Sequence, residues 1–255
     1  MQQQSKEKLI EAVQQAGDKL LALWPGTACE STLLEVRKKA DGSLVSHADM
    51  ESNAILLHAL NRIFPGDAIL SEEVPFDSTL LARTERIWII DPLDGTTSFV
   101  HGRDDFSILV ALVEHSVPVF GIMYFPARKI LAVAEQGHPA LCNGKEIHVS
   151  TERELKPGRV YLRNLERQHP ELCAPSMDSG LAFLKLACGE LDGIAIRMTT
   201  HRDWDIAAPM AVLFSAGGCA TNETGDAVRL AKGDLADTHV LASNGLIHKQ
   251  LQGLI

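Results

Sequence analysis

The apolar positions of the chain fall first into a helical rhythm. Leu9, Ile10, Val13, Ala16, Leu20, Leu21 and Trp24 recur at the spacing of one helix face, and Pro25-Gly26 closes the run. Residues 35–46 are mixed and turn-rich around Asp41-Gly42, with room for a hairpin. Met50, Ala54, Ile55, Leu57 and Phe64 then predict a second helix, with Ser46 as its cap and Pro65-Gly66 as its end. Beyond it the period changes. Ala68-Ile69-Leu70 reads as a short strand leading into Ser71-Glu72-Glu73. Ile87-Trp88-Ile89-Ile90 reads as a buried strand that should stop at Pro92, which has no N–H for a ladder. Residues 106–113, 117–124 and 130–134 predict three more strands, and Asn143-Gly144 is a strong hairpin signal.

Residues 153–158 are polar and end in Pro157-Gly158. They mark the expected boundary between an N-terminal α+β half, residues 1–150, and a C-terminal half, residues 151–255, that completes a shared site. In the second half, residues 160–162 predict a strand. Ser176 or Asp178 is expected to cap a helix over Leu181, Phe183, Leu184, Leu186 and Ala187. Residues 194–198 predict a strand, and residues 204–216 a helix ended by Gly217-Gly218, with Pro209 expected in or near its first turn. A strand over 238–242 and a helix over 244–255 finish the chain. Strands and helices mix without strict βαβ alternation, which predicts a layered α/β (α+β) fold over a doubly wound sheet or a barrel.

The chemistry concentrates where one strand ends. Asp91-Pro92-Leu93-Asp94-Gly95-Thr96 places two carboxylates in one tight turn after the apolar run, with Thr96, Thr97 and Ser98 opening a helix. A lone acidic residue at such a place is as a rule a turn former or a cap. Two of them about 4 Å apart repel by about 4 kcal/mol at an effective dielectric of about 20, so the pair holds either protons or cations. Mg²⁺ suits carboxylates, a carbonyl and waters. Glu72 ends a short strand as Asp91 does, either as a ligand or as half of a solvated pair with Glu73. Asp49 lies in the first turn of a helix, where negative charge is favoured in any case. Asp205 follows Trp204 at a helix start, as a cap or as a further ligand.

Charge and composition narrow the partners. The net charge of −9 argues against a nucleic-acid polymer or an anionic membrane as the main partner. A small anionic substrate stays open, because bound cations reverse the local sign. No apolar leader or bilayer-length stretch occurs, and the five cysteines are scattered without a C-x-x-C, so reduced thiols in the cytoplasm are expected. G-x-S-x-G, G-x-G-x-x-G, the P-loop and H-E-x-x-H are absent, which removes the signatures of those hydrolases and nucleotide binders. Haloacid-dehalogenase phosphatases use Asp-x-Asp with the first Asp as nucleophile. Two residues separate the carboxylates here, which favours metal ligands around an activated water.

With these residues in view, the chain resembles the inositol monophosphatase superfamily. Trp88-Ile89-Ile90-Asp91-Pro92-Leu93-Asp94-Gly95-Thr96 is similar to its central signature, and Trp204-Asp205-Ile206-Ala207-Ala208 with Ala216-Gly217-Gly218 to its second. The resemblance covers nearly the whole chain. It implies an α-β-α-β-α layered sandwich, a homodimer, two or three Mg²⁺ per site and inhibition by Li⁺. It further implies that Glu72, Asp91 and the Leu93 carbonyl hold a first metal, and Asp91, Asp94 and Asp205 a second. Glu72 and Thr96, with Asp49 nearby, would orient and deprotonate a water. Asp94, Gly95, Thr96 and Asp205 would face the substrate, with the N–H groups of Gly95 and Thr96 on the phosphate.

For the substrate the resemblance divides. Thr97-Ser98-Phe99-Val100-His101 is similar to inositol monophosphatases. Met198 stands where those carry a substrate-facing glutamate, while Arg197 and the Trp204–Ala208 segment look more like bisphosphate nucleotidases. The expected activity is a Mg²⁺-dependent phosphomonoesterase on a small metabolite, either an inositol phosphate or a 3′(2′),5′-bisphosphate nucleotide. Two other readings compete: a haloacid-dehalogenase-like enzyme with Asp91 as nucleophile, and a non-catalytic metabolite-binding relative.

Overall fold

Two helices cover one face of the larger sheet in the computed structural model, which describes residues 1–26, 36–38, 44–75, 84–199, 201–231 and 238–255. Helix α1 (Gln3–Leu23) turns Leu9, Val13, Ala16 and Leu20 inward, and α2 (His47–Ile63) turns Ala48, Leu56 and Leu60 inward, as the three- and four-residue spacing requires. Between them β1 (Val36–Lys38) pairs antiparallel with β2 (Leu44–Ser46), the expected hairpin. Its turn at Asp41-Gly42, and the Ser46 side chain expected to cap α2, lie outside the described residues.

The sheet beneath has seven strands in sequence order: β3 (Ala68–Ser71), β4 (Arg86–Asp94), β5 (Ser107–Glu114), β6 (Val117–Phe125), β7 (Ile130–Glu135), β8 (Leu141–Cys142) and β9 (Lys145–Glu146). Only β3 and β4 run parallel within it. Strand alternation sorts the side chains: Trp88, Ile90, Val110, Phe120 and Ile122 meet α1 and α2, while Ile87, Ile89, Leu109, Ala111 and Met123 face the other way. Asn143 and Gly144 take φ of 47° and 76°, the two positive values that a tight hairpin turn needs.

One expectation is corrected here. Strand β4 does not stop at Pro92 but runs on to Asp94, with its register against β5 broken between Asp91 and Asp94. A proline is tolerated in such a bulge because no ladder hydrogen bond is demanded of it.

The second sheet has the order β10 (Val160–Arg163), β11 (Gly193–Arg197), β13 (His239–Ser243), β12 (Cys219–Thr221). Between the two sheets lie α4 (Ser179–Ala187) and α5 (Asp203–Ser215), following the short α3 (Thr96–Val100) that opens after β4. On the far face, Val160, Leu162, Ala195 and Leu241 cluster with Ile247 and with Leu251 of α6 (His248–Gln252). The layers therefore run α-β-α-β-α. The C-terminal helix is shorter than expected, because Asn244 accepts the N–H groups of Leu246 and Ile247 in a turn. Pro209 also sits deeper than expected, in the second turn of α5. It removes the N–H that would reach the carbonyl of Asp205 four residues back.

Candidate active site

Three element ends bring acidic groups to one cavity of about 480 Å³. The turn after β3 supplies Glu72, whose N–H donates to the Ile90 carbonyl at 3.2 Å and so ties that turn to β4. The bulged end of β4 supplies Asp91, Leu93 and Asp94, and the first turn of α5 supplies Asp205. Carboxylate oxygens of Asp91, Asp94 and Asp205 come within 4.8 Å of one another.

Local hydrogen bonds fix each group. The Leu93 N–H donates to Oδ1 of Asp91 at 3.0 Å, and Ser107 Oγ donates to Oδ2 of Asp94 at 2.8 Å. Ser52 Oγ of α2 donates to the Pro92 carbonyl at 2.7 Å and anchors the bulge. Asp205 is both cap and cavity residue: its Oδ2 accepts the Arg202 N–H at 2.5 Å. Thr96 Oγ1 lies 3.1 Å from the Leu93 carbonyl and 3.2 Å from Oδ1 of Asp49, a buried residue of the first turn of α2. Gly95 takes φ +80°, and a Cβ there would lie 2.9 Å from Oδ2 of Asp178, so two constraints require glycine.

The electrostatics follow from crowding. Burial, then the charges of Glu72, Asp94 and Asp205, raise the Asp91 carboxyl well above its ordinary range. Burial, then Asp178 and Asp205, do the same to Asp94. Burial pushes Asp205 up to about 8, with Glu72 and Asp178 adding to the rise. Carboxylates in this state favour a cation as replacement for their protons, so the donor set fits a hard divalent metal: three clustered carboxylates and the Leu93 carbonyl beside them.

Every expected residue except Asp49 and Arg197 lines the cavity. Asp49 reaches it through Thr96. Arg197 is exposed at the end of β11 and is not among the lining residues, and Met198 beside it is buried in the core. Several residues that line the cavity were not expected there from the sequence. Asp178 caps α4 as expected, accepting the Gly180 N–H at 3.3 Å, but its side chain also hydrogen-bonds to that of Asp94. Arg163, His201 and Arg202 line the cavity as well, the Arg163 charge acting on Asp178 and the Arg202 charge on Asp205. His201 is held down to about 4 by burial and by the Arg163 and Arg202 charges, so its ring is neutral.

A family model described as the inositol monophosphatase family matches residues 1–255. An inositol-1-monophosphatase of Synechocystis sp. is 32% identical over 96% of this chain and 86% of its own length. The 3′(2′),5′-bisphosphate nucleotidase CysQ of Escherichia coli is 27% identical over 83% of this chain and 87% of its own. The solved structure of a Thermotoga maritima IMPase superposes with a TM-score of 0.82 at 26% identity, covering 96% of this chain and 94% of that one.

Proposed function

Since the chain belongs to the inositol monophosphatase family, we propose that its cavity hydrolyses the phosphate monoester of a small metabolite, an inositol phosphate or a 3′(2′),5′-bisphosphate nucleotide, with two or three Mg²⁺. The observation that carries this reading is the convergence of Asp91, Asp94 and Asp205 within 4.8 Å, with Glu72 on the same cavity wall.

In this reading Glu72, Asp91 and the Leu93 carbonyl hold one Mg²⁺, and Asp91, Asp94 and Asp205 another. Bound there, the metal lowers the pKa of an attacking water and offsets charge on the phosphate and the leaving alkoxide. The chain's own groups do the rest. Glu72 and Thr96 orient the water and take its proton. Asp49 fixes the Thr96 hydroxyl, and the N–H groups of Gly95 and Thr96 receive the phosphate. Asp94 and Asp205 face the substrate as well as the metal. A covalent phospho-Asp91 is disfavoured, because two residues separate Asp91 from Asp94 where Asp-x-Asp enzymes have one.

We also assign to the chain Li⁺ inhibition and a homodimer, on the family's pattern, and a cytoplasmic setting, on its free thiols at Cys142, Cys173, Cys188 and Cys219. No helix among the described residues is long and apolar enough to cross a membrane. The test is phosphate release from a panel of inositol phosphates, nucleoside bisphosphates and sugar phosphates with Mg²⁺, with and without Li⁺. Turnover that needs Mg²⁺ and is lost in Asp94→Asn supports the reading. Absence of turnover across the panel, in a protein that binds no Mg²⁺ by calorimetry, would instead identify a non-catalytic relative.

A further inference from the structure

Away from the acidic cavity, two thiols from different layers meet. Cys142 ends β8, near the outer edge of the seven-stranded sheet. Cys188 is the C-cap of α4 in the middle layer, where its N–H donates to the Leu184 carbonyl at 2.9 Å. The chain between β8 and α4 brings them together. After β9 it turns back on β8, the Ile147 N–H donating to the Ala140 carbonyl at 3.0 Å. Gly189, next to Cys188, lies against the same segment: a Cβ there would be 3.1 Å from the Ser150 nitrogen and 3.2 Å from the His148 carbonyl oxygen. Both cysteines are free and half-buried, and both pack on the core between the sheets. Their side chains hydrogen-bond to each other.

A buried cysteine is as a rule a small apolar filler. These two differ in keeping some exposure and in facing one another. A thiol is a weak donor and a weak acceptor, so their mutual bond is a poor reason for the pairing. The bond does divide their roles. It lowers the Cys142 thiol from its ordinary value, against burial and the Glu190 charge, which favours the nucleophilic thiolate. The same bond, then burial, pushes Cys188 up, so that Cys188 keeps the proton. One attacking thiolate beside one protonated thiol is the arrangement of a peroxide-sensitive cysteine with its resolving partner.

We propose that Cys142 and Cys188 form a redox pair that a peroxide closes to a disulfide and a small thiol reopens, tying the edge of the first sheet to α4. The Cys142 thiolate attacks one oxygen of the peroxide. An S–O bond forms, the O–O bond breaks, and the departing oxygen takes up the proton that the thiol had lost and leaves as water. The Cys188 sulfur then attacks the Cys142 sulfur. The S–S bond forms, the S–O bond breaks, and the second water carries off the Cys188 proton. The two thiols lose two electrons and the peroxide gains them. In a compartment that keeps thiols reduced, such a bond is transient, as sensing requires.

Closure draws the end of α4 toward β8, since a covalent bond is shorter than the contact it replaces. The start of the same helix is packed on the acidic cavity, where a Cβ on Gly180 would overlap Oδ2 of Asp94. Closing the pair therefore disturbs a carboxylate proposed to hold a cation. That consequence, unlike the pair itself, rests on the phosphomonoesterase reading.

The test treats the reduced full chain with hydrogen peroxide, digests it and maps the peptides by mass. The peptides holding Cys142 and Cys188 should be joined, lighter by two hydrogens, and separated again by dithiothreitol. Cys188→Ala should stop at a sulfenic acid on Cys142, which dimedone traps. Calorimetry should show Mg²⁺ binding about tenfold or more weaker in the oxidised chain, restored on reduction and unaffected by peroxide in Cys142→Ala. Peptides that stay unjoined, or that join to another cysteine instead, overturn the pair. Joined peptides with unchanged Mg²⁺ affinity overturn its reach to Asp94. A reduced chain that binds no Mg²⁺ refutes the metal reading, and the peptide map still decides the pair.

Discussion

A Cβ placed on Gly180 would lie 2.3 Å from Oδ2 of Asp94 and 2.9 Å from Oγ of Ser107. The start of α4 is thus pressed against the carboxylate that the Ser107 hydroxyl holds. Gly180→Ala must move one of these groups, and Asp94 has no slack. Mg²⁺ affinity, measured by calorimetry, should fall about 10- to 100-fold, the usual cost of disturbing the support of a ligand, with turnover falling alongside.

Asp205→Asn separates stability from function. In the metal-free protein this half-buried carboxyl is crowded by like charges, so the substitution should raise the unfolding temperature near pH 8 in the presence of chelator. It should also abolish the further stabilisation that Mg²⁺ gives the wild type, since that gain requires binding to the folded state. A thermal shift assay with and without Mg²⁺ reads both effects.

The same carboxyl sets a pH dependence. Its folded value is near 8, against an ordinary value of 3.8. Between those values the folded chain holds a proton that the unfolded chain has lost, so stability falls as pH rises. Stability from this group is complete below about pH 4 and gone above about pH 8, with Asp91 and Asp94 acting in the same direction. Unfolding curves of the metal-free protein across that window should show a declining midpoint. Mg²⁺ should flatten the decline by taking the place of the protons.

Thr96 joins Asp49 to the Leu93 carbonyl, and in the proposed mechanism it would serve rate more than metal retention. Thr96→Ala should lower kcat by about 10²- to 10⁴-fold, the range for loss of positioned proton transfer, and Thr96→Ser should restore much of it. Asp49→Asn keeps an acceptor for the hydroxyl but removes a charge, and should fall between the two. Steady-state kinetics at saturating Mg²⁺ distinguishes them.

The acidic residues proposed as ligands were legible because two chemical demands meet in one short segment. Asp91 and Asp94 follow an apolar strand so closely that neither can reach solvent freely, and the Gly95 turn needs a glycine. Trp204-Asp205 could be joined to them through the family resemblance, not through spacing, since 110 residues of chain separate Asp94 from Asp205. The basic residues of the cavity were not legible. Arg163, His201 and Arg202 come from a strand end and a helix entry, and nothing in period or composition brings these together. Arg197 was chosen from sequence for the substrate, yet at the end of β11 its side chain is exposed and outside the cavity lining. In β4, strand propensity and the proline rule disagreed at Pro92, and the bulge resolved the conflict in favour of a longer strand.

Helix α5 lies close on the central strand β6. A Cβ on Gly121 would meet the Ala211 Cβ at 2.7 Å and the Ala208 carbonyl oxygen at 2.8 Å. The absence of that one methyl sets how deep the helix sinks, and so how far Asp205 reaches toward Asp91 and Asp94. The aperture of the cation site is gauged by a contact that touches no ligand. Gly121→Ala would lift α5 and widen the aperture, which favours the larger, more loosely coordinated Ca²⁺ over Mg²⁺ with its strict octahedral shell. On the proposed metal reading, ion discrimination would be a property of how the middle layer is stacked.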